Sequence, residues 1–151
     1  MTQQEVLGFL KDMEYCHERL RDRSTELFVD CNFDEDSSLV PQIQIERQGE
    51  SIIALLAHRF TFPVTPDYAE TNEVTLLASL VVSSECCDAR VAIDAYLDEG
   101  VEGIPAGSST VHEMQCEGVS LEVAVRFLRE HVDDICRLDN PLRAFEQPRT
   151  D

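Results

Sequence analysis

Alternation of apolar and polar residues predicts three consecutive strands between residues 24 and 62. In residues 27–33 every second position is apolar, a period of two that is typical of a strand with one buried face. Ile43 and Ile45 alternate with glutamine and glutamate in the second predicted strand. Residues 51–62 form the most apolar segment, and we expect them to be a central strand of a sheet.

Amphipathic helices are predicted near both ends of the chain. Thr2 followed by Glu5 matches a capping box, and the apolar stripe behind it has the 3.6-residue period of a helix that extends to about Leu20. Ser120 is the predicted N-cap of the last helix, which ends before Pro141 because a residue that precedes proline disfavours the helical conformation. The stripe of this last helix is the clearest helical signal in the chain: Leu121, Ala124, Val125, Leu128, Val132, Ile135 and Cys136.

A further helix is predicted in the middle of the chain, over residues 72–86. Its apolar positions are Val74, Leu76, Leu77, Ala78, Leu80, Val81 and Val82. A helix that is apolar around most of its circumference needs partners on two sides. One partner is expected to be the sheet, and the other is either a second copy of the chain or another helix. A competing prediction places a strand through residues 80–83, because valine is β-branched.

Two more strands complete the predicted fold. Residues 91–97 alternate cleanly, and residues 109–116 are the better-patterned part of a fifth strand. The predicted order is helix, three strands, helix, two strands, helix. We therefore expect a single α+β domain over residues 1–151, with a mainly antiparallel twisted sheet flanked by helices and a C-terminal tail at about residues 141–151.

The predicted middle helix and fourth strand suggest a homodimer. Only about half of the apolar side chains of that helix can face the sheet, and monomers rarely leave such a patch open to water. A two-fold symmetric contact is the most common way to cover it. The side chains predicted at this interface are Leu76, Leu80, Val81, Val91 and Ile93.

Charge narrows the classes of partner. Thirty acidic and 12 basic residues give the 151-residue chain a formal net charge of -18. Such a field repels phosphate backbones and anionic membrane surfaces, so we expect binding to neither nucleic acid nor membrane. The acidic surface is either simply well solvated, a docking surface for a basic partner, or an adaptation to a salty cytoplasm.

The location of the protein is predicted from two further features. The first 15 residues carry Glu5, Lys11, Asp12 and Glu14 and do not resemble a signal peptide. No apolar run approaches the ~20 residues of a transmembrane helix. We therefore expect a soluble protein of the cytoplasm.

Six cysteines raise the question of thiol chemistry: Cys16, Cys31, Cys86, Cys87, Cys116 and Cys136. A reducing cytosol keeps thiols free, and the chain has no CxxC pair of the kind that binds zinc or exchanges disulfides. Cys31 and Cys136 fall on predicted apolar faces. The vicinal pair Cys86-Cys87 supports an alternative function, a small thiol- or metal-dependent protein, which predicts a partly exposed Cys86 with a depressed pKa.

Catalytic motifs are missing from the sequence. There is no GxSxG, no HExxH and no glycine-rich phosphate loop after a strand. Of the four histidines, His58 lies on the predicted central strand and is expected to be the most buried. The sequence therefore predicts a non-enzymatic protein with no catalytic residue, no cofactor and no metal ligand.

The predicted element order resembles the fold shared by class I type III secretion chaperones and the YbjN family of bacterial proteins. The turn Glu117-Gly118-Val119-Ser120 before a long amphipathic helix is similar to the corresponding passage of YbjN-type sequences. The resemblance covers nearly the whole chain. It implies a homodimeric, non-enzymatic module that binds a protein segment, either as a secretion chaperone or as a regulator.

Overall fold

The fold consists of two helices and a five-stranded sheet. A computed structural model describes residues 3–30, 38–63, 71–98 and 104–138. The elements are α1 (Gln3–Asp30), β1 (Ser38–Gln48), β2 (Ser51–Pro63), β3 (Thr71–Val82), β4 (Cys87–Leu97), β5 (Gly107–Val119) and α2 (Leu121–Arg137). Within these described residues no helix is long and apolar enough to cross a membrane.

The sheet is an antiparallel meander in which each strand pairs with the next one along the chain, in the order β1-β2-β3-β4-β5. Only Gly49 and Glu50 lie between β1 and β2, and Gly49 adopts a φ of 61°, which glycine tolerates without steric penalty. The predicted α+β class with a mainly antiparallel five-stranded sheet is therefore confirmed.

The two helices pack side by side on one face of the sheet. Arg129 of α2 lies 3.0 Å from Asp12 of α1, and Arg23 of α1 donates to the backbone carbonyl of Leu138 at 2.8 Å, so the helices run in the same direction. Alternate residues of the inner strands point toward them. The largest fully buried side chains are Phe60, Leu20, Leu27, Leu56, Leu76, Leu80, Ile93, Leu97, Leu128, Ile135 and His58.

The predicted middle helix is wrong, because Thr71–Val82 is strand β3 at the centre of the sheet. It pairs along its length with β2 and β4. A strand with apolar side chains on both faces is a nearly continuous apolar run, and such a run contains the 3.6-residue spacing as well as the spacing of two. The competing strand at residues 80–83 lies mostly within β3. The resemblance to secretion chaperones and YbjN proteins therefore loses one element of the order on which it rests.

The predicted strand at residues 27–33 is also wrong where the structure describes it, because α1 continues to Asp30. Leu27 is fully buried and extends the helical stripe of Phe9, Met13, Cys16 and Leu20 by two more turns. This long 3.6-residue period outweighs a short alternation. Residues 31–33 and the predicted cap Thr2 lie outside the described residues.

The C-terminal helix matches its prediction closely. Ser120 is the N-cap, and its hydroxyl oxygen accepts a hydrogen bond from the backbone N–H of Val123 at 3.2 Å. Helix α2 ends at Arg137, before Pro141, and buries Ala124, Leu128, Val132 and Ile135 against the sheet and α1. The predicted tail at residues 141–151 lies outside the described residues.

Candidate functional site

The face of the sheet that points away from both helices is the first candidate surface, and we term it the open face. It is formed by the residues that alternate with the core positions of the inner strands. These are Ile53, Leu55, Ala57 and Arg59 of β2, Glu73, Thr75, Leu77, Ser79 and Val81 of β3, and Asp88, Arg90, Ala92, Asp94 and Tyr96 of β4.

The centre of the open face is apolar. The strand register places Ala57, Leu77 and Ala92 in one row across β2, β3 and β4, where they form a small buried cluster separate from the main core. Leu55 lies in the next row, opposite Ser79, and Val81 lies one row further, opposite Ile53; both Leu55 and Val81 are half-buried. The three side chains of the row are at most 8% exposed, so the accessible apolar area of the open face belongs to the half-buried residues near them.

Charged side chains surround the apolar centre, and the two arginines among them pair with carboxylates. Arg90 donates from Nε to Glu113 at 2.6 Å and from Nη2 to Asp94 at 3.2 Å. Arg59 lies 3.9 Å from Glu73 at the other end of the face. An apolar centre with a polar rim is the usual anatomy of a protein–protein interface.

The residues predicted at a dimer interface occupy two different places. Leu76, Leu80, Val91 and Ile93 are fully buried between the sheet and the helices of a single chain. Val81 alone lies on the open face. The predicted interface depends on residues 72–86 being a helix with an uncovered side. Leu76 and Leu80 instead lie in β3, Val91 and Ile93 lie in β4, and all four are core residues.

The vicinal cysteines lie at the hairpin between β3 and β4. Cys86 is half-buried, with its Sγ 3.8 Å from the Ser83 hydroxyl, which itself donates to the Cys86 carbonyl at 2.6 Å. Cys87 begins β4 and is buried, and burial raises the pKa of its thiol. Among the residues that the structure describes, no group of three His, Cys, Asp or Glu side chains is placed to hold a metal ion.

Cys86 and Cys87 line a cavity of about 690 Å³ at this end of the sheet. Ile52 and Val82 contribute apolar walls, and Leu121 lines it at the start of α2. The cavity is large enough for a small ligand, but among the described residues that line it the one thiol outside the core belongs to Cys86.

The other described cysteines are poor nucleophiles at neutral pH, because the thiolate is the reactive form. Burial raises the pKa of Cys16 to about 12, although the positive charge of Arg129 opposes the shift. Burial also raises the pKa values of Cys116 and Cys136. Cys31 lies outside the described residues.

His58 is buried as predicted, at 1% exposure, and it contacts a residue that the sequence did not link to it. The ring of His17 on α1 stacks on the His58 ring of β2. Within the described parts of the chain neither ring nitrogen of His58 has a hydrogen-bond partner. The only sequence signal for this contact is that His17 continues the apolar stripe of α1 four residues after Met13.

A groove of about 670 Å³ between α1 and α2 is a third candidate. Phe9, Leu121 and Val125 contribute apolar lining. Arg129 at its wall is already engaged, because its guanidinium lies 4.1 Å from the centre of the Tyr15 ring and also pairs with an aspartate of α1. These contacts hold the two helices together, which gives the groove a structural role.

Known proteins do not indicate which of these surfaces functions. No family model, no curated protein and no solved structure matches the chain. The function has to be inferred from the chemistry of the surfaces themselves.

Proposed function

We propose that this chain is a non-enzymatic protein-binding domain that acts in the cytoplasm and binds a polypeptide segment on the open face. This is the class of function that the resemblance to secretion chaperones and YbjN-like regulators implies. The observation that carries the proposal is the apolar centre of the open face, formed by Ala57, Leu77 and Ala92, together with the half-buried Leu55 and Val81 on the same face.

The chemistry of the partner follows from the same surface. Apolar side chains of the partner would cover the half-buried Leu55 and Val81, and burial of apolar area contributes roughly 25 cal/mol per Å². The net charge of -18 favours a neutral or basic segment over an acidic one. The basic groups of the open face, Arg59 and Arg90, are already paired with carboxylates and do not recruit an acidic partner.

A non-enzymatic role is supported by the state of the potential catalytic groups. His58 is stacked in the core, and burial lowers its pKa to about 4, so it is neutral at neutral pH and out of reach of a substrate. Burial raises the pKa of the Cys87 thiol, which disfavours the thiolate. The two arginines of the open face, Arg59 and Arg90, are engaged in ion pairs with carboxylates.

The experiment is selection from a library of random peptides displayed on phage, followed by affinity measurement with the selected peptides. We expect enrichment of apolar and basic residues, and a loss of affinity of about tenfold or more in Leu55→Glu, because the new carboxylate lies in the centre of the interface. Val123→Glu is the control, since Val123 is exposed on α2 away from the open face.

The proposal fails if no peptide is enriched, or if the selected peptides bind Leu55→Glu as tightly as the native chain. Amide shifts in an NMR titration with a selected peptide provide the second readout. They should concentrate on β2, β3 and β4 at the residues of the open face.

The alternative function, thiol-dependent binding at Cys86-Cys87, is favoured by one observation. The two residues line the cavity of about 690 Å³ at the β3–β4 hairpin, with Cys86 half-buried at its wall. Reaction of Cys86 with a thiol reagent should then be blocked by a ligand in the cavity. The substitution Ile52→Trp should narrow the cavity. If Cys86 then reacts with the thiol reagent at the same rate as in the native chain, this result would count against a ligand site there.

A further inference from the structure

We propose that two copies of this chain pair through their β1 strands, antiparallel about a two-fold axis, and form one continuous ten-stranded sheet. This interface lies at the edge of the sheet and not on the open face. It is therefore independent of the peptide-binding surface proposed above.

The two edges of the sheet are different. Strand β5 has two irregularities in its pairing with β4, and Gly107 and Gly118 adopt positive φ angles at its ends. Irregular edges with charged residues such as Glu113 discourage pairing with another strand. Strand β1 pairs with β2 in unbroken register from Ser38 to Gln48 and so presents a regular edge.

The β1 edge is also uncharged where the rest of the chain is strongly acidic. Residues 38–45 contain no charged side chain, although 28% of the chain is Asp, Glu, Lys or Arg. Three apolar side chains are exposed there: Val40 at 38%, Ile43 at 55% and Ile45 at 45%. Two molecules that each carry -18 repel one another, and the neutral edge is where their approach meets the least local repulsion.

The backbone of β1 has the correct phase for such pairing. In an antiparallel ladder, alternate residues direct both their N–H and C=O groups to the same neighbour. Proline is tolerated in an edge strand where its missing N–H would face away from the sheet. The backbone groups of Pro41 therefore point outward, away from β2. Ile43 and Ile45 share that phase, so both their backbone groups and exposed side chains are available to a second strand.

A second copy fits this edge because the strand is complementary to itself. With Gln44 on the two-fold axis, Ile43 faces Ile45 of the second copy and Glu46 faces Gln42 of the second copy. No two like charges oppose one another in this register, which would otherwise destabilise the pair. The isoleucine side chains lie on the helix-covered side of the sheet, opposite Leu56 and Ala54 of β2, so the pairing extends the apolar surface of the core.

The first test is the mass in solution by sedimentation equilibrium at micromolar concentration. We expect twice the chain mass of 17.1 kDa for the native protein. Ile43→Glu should weaken dimerisation by about tenfold or more, because it places two carboxylates at the new interface. Val111→Glu is the matched control on the opposite edge, where Val111 is 38% exposed, and it should remain dimeric.

The second test fixes the register with a cysteine cross-link. Gln44→Cys places two thiols opposite each other across the axis, where the Cα atoms of a non-hydrogen-bonded pair are about 4.5 Å apart. It should form a disulfide-linked dimer under mild oxidation with oxidised glutathione, whereas Gln42→Cys should not, because its two copies lie four residues of strand apart.

A native protein that sediments as a monomer overturns the proposal, and so does a dimer that Ile43→Glu leaves intact. Cross-linking that is as efficient for Gln42→Cys as for Gln44→Cys would refute the register. Leu55→Glu separates this interface from the peptide-binding surface, since it should weaken peptide binding by about tenfold or more and leave the mass unchanged.

Discussion

His17 and His58 stack across the boundary between α1 and β2, with ring centroids 5.2 Å apart and an angle of 22° between the rings. Burial, together with the smaller effect of the positive charges of His17 and Arg21, lowers the pKa of His58 to about 4. His58 is therefore neutral in the folded protein under conditions in which an unfolded histidine begins to take up a proton.

This difference makes stability depend on pH. The unfolded histidine has a pKa of about 6.5, so below that pH the unfolded state binds a proton that the folded state excludes. The contribution of neutral His58 is fully present above pH 6.5 and is lost as the pH falls toward about 4. The loss is at most about 3 kcal/mol, measured as the free energy of unfolding in urea at several pH values.

His58→Phe removes the titrating group and retains an aromatic ring in the stack. We expect the difference in unfolding free energy between native and His58→Phe proteins to shrink or reverse as the pH falls below 6.5. The equivalent substitution His112→Phe on β5 is the control, since His112 is half-buried at the sheet edge. Parallel pH profiles for all three proteins would contradict the assignment.

Substitution by glutamine should lower the free energy of unfolding much more at Leu80 than at its neighbour Val81 in β3. Leu80 is fully buried against the helices, and Leu80→Gln leaves an amide without partners, at a cost of about 3 kcal/mol or more. Val81 faces the open side, and Val81→Gln should cost about 1 kcal/mol or less. Chemical denaturation checks both values.

Equal effects at the two positions would mean that residues 71–82 do not form a strand with one face in the core. A helix over residues 72–86 would instead place the severe effects three or four residues apart.

Thiol reactivity should single out one cysteine among those that the structure describes. Cys86, Cys116 and Cys136 are half-buried, but burial raises the pKa values of Cys116 and Cys136. Cys16 and Cys87 are buried, and their pKa values are raised as well. We expect iodoacetamide at pH 7.5 to alkylate Cys86 first, and mass spectrometry of tryptic and GluC peptides identifies the modified residue. Preferential modification of Cys16 in the folded protein would contradict the packing of α1.

Salt should stabilise the folded chain. With a formal net charge of -18 the compact state repels itself, and sodium chloride screens this repulsion over a Debye length of ~10 Å at 0.1 M. The melting temperature should rise from low to moderate sodium chloride concentration, as followed by circular dichroism. A melting temperature that stays flat or falls would show that favourable ion pairs dominate over the net charge.

The sequence predicted those elements whose periodicity is long and unambiguous. Helix α2 has a continuous stripe and a serine cap at Ser120, and both are present in the structure. Strand β4 alternates cleanly and has one face entirely in the core. The same reasoning failed for strand β3, because a central strand with apolar residues on both faces has no clean alternation of apolar and polar positions.

The open face could not be predicted from the sequence, for a different reason. Ala57, Leu77 and Ala92 are far apart in the chain and are unremarkable singly. The register of three paired strands brings them into one row, and register is a tertiary property that local patterns do not specify. The earlier prediction of an uncovered apolar surface near residue 81 located one member, Val81, but assigned it to a helix.

The contact between the parallel helices α1 and α2 determines when these two helices pack together during folding. Tyr15 donates to Asp133 at 2.9 Å, and the two residues are 118 positions apart. Every strand pair, in contrast, joins neighbours along the chain and can form by local zipping. Closing the longer loop has a large entropic cost until the meander has shortened the distance between its ends. The helix pair therefore belongs to the late part of folding, and substitutions between α1 and α2 should accelerate unfolding more than they slow folding.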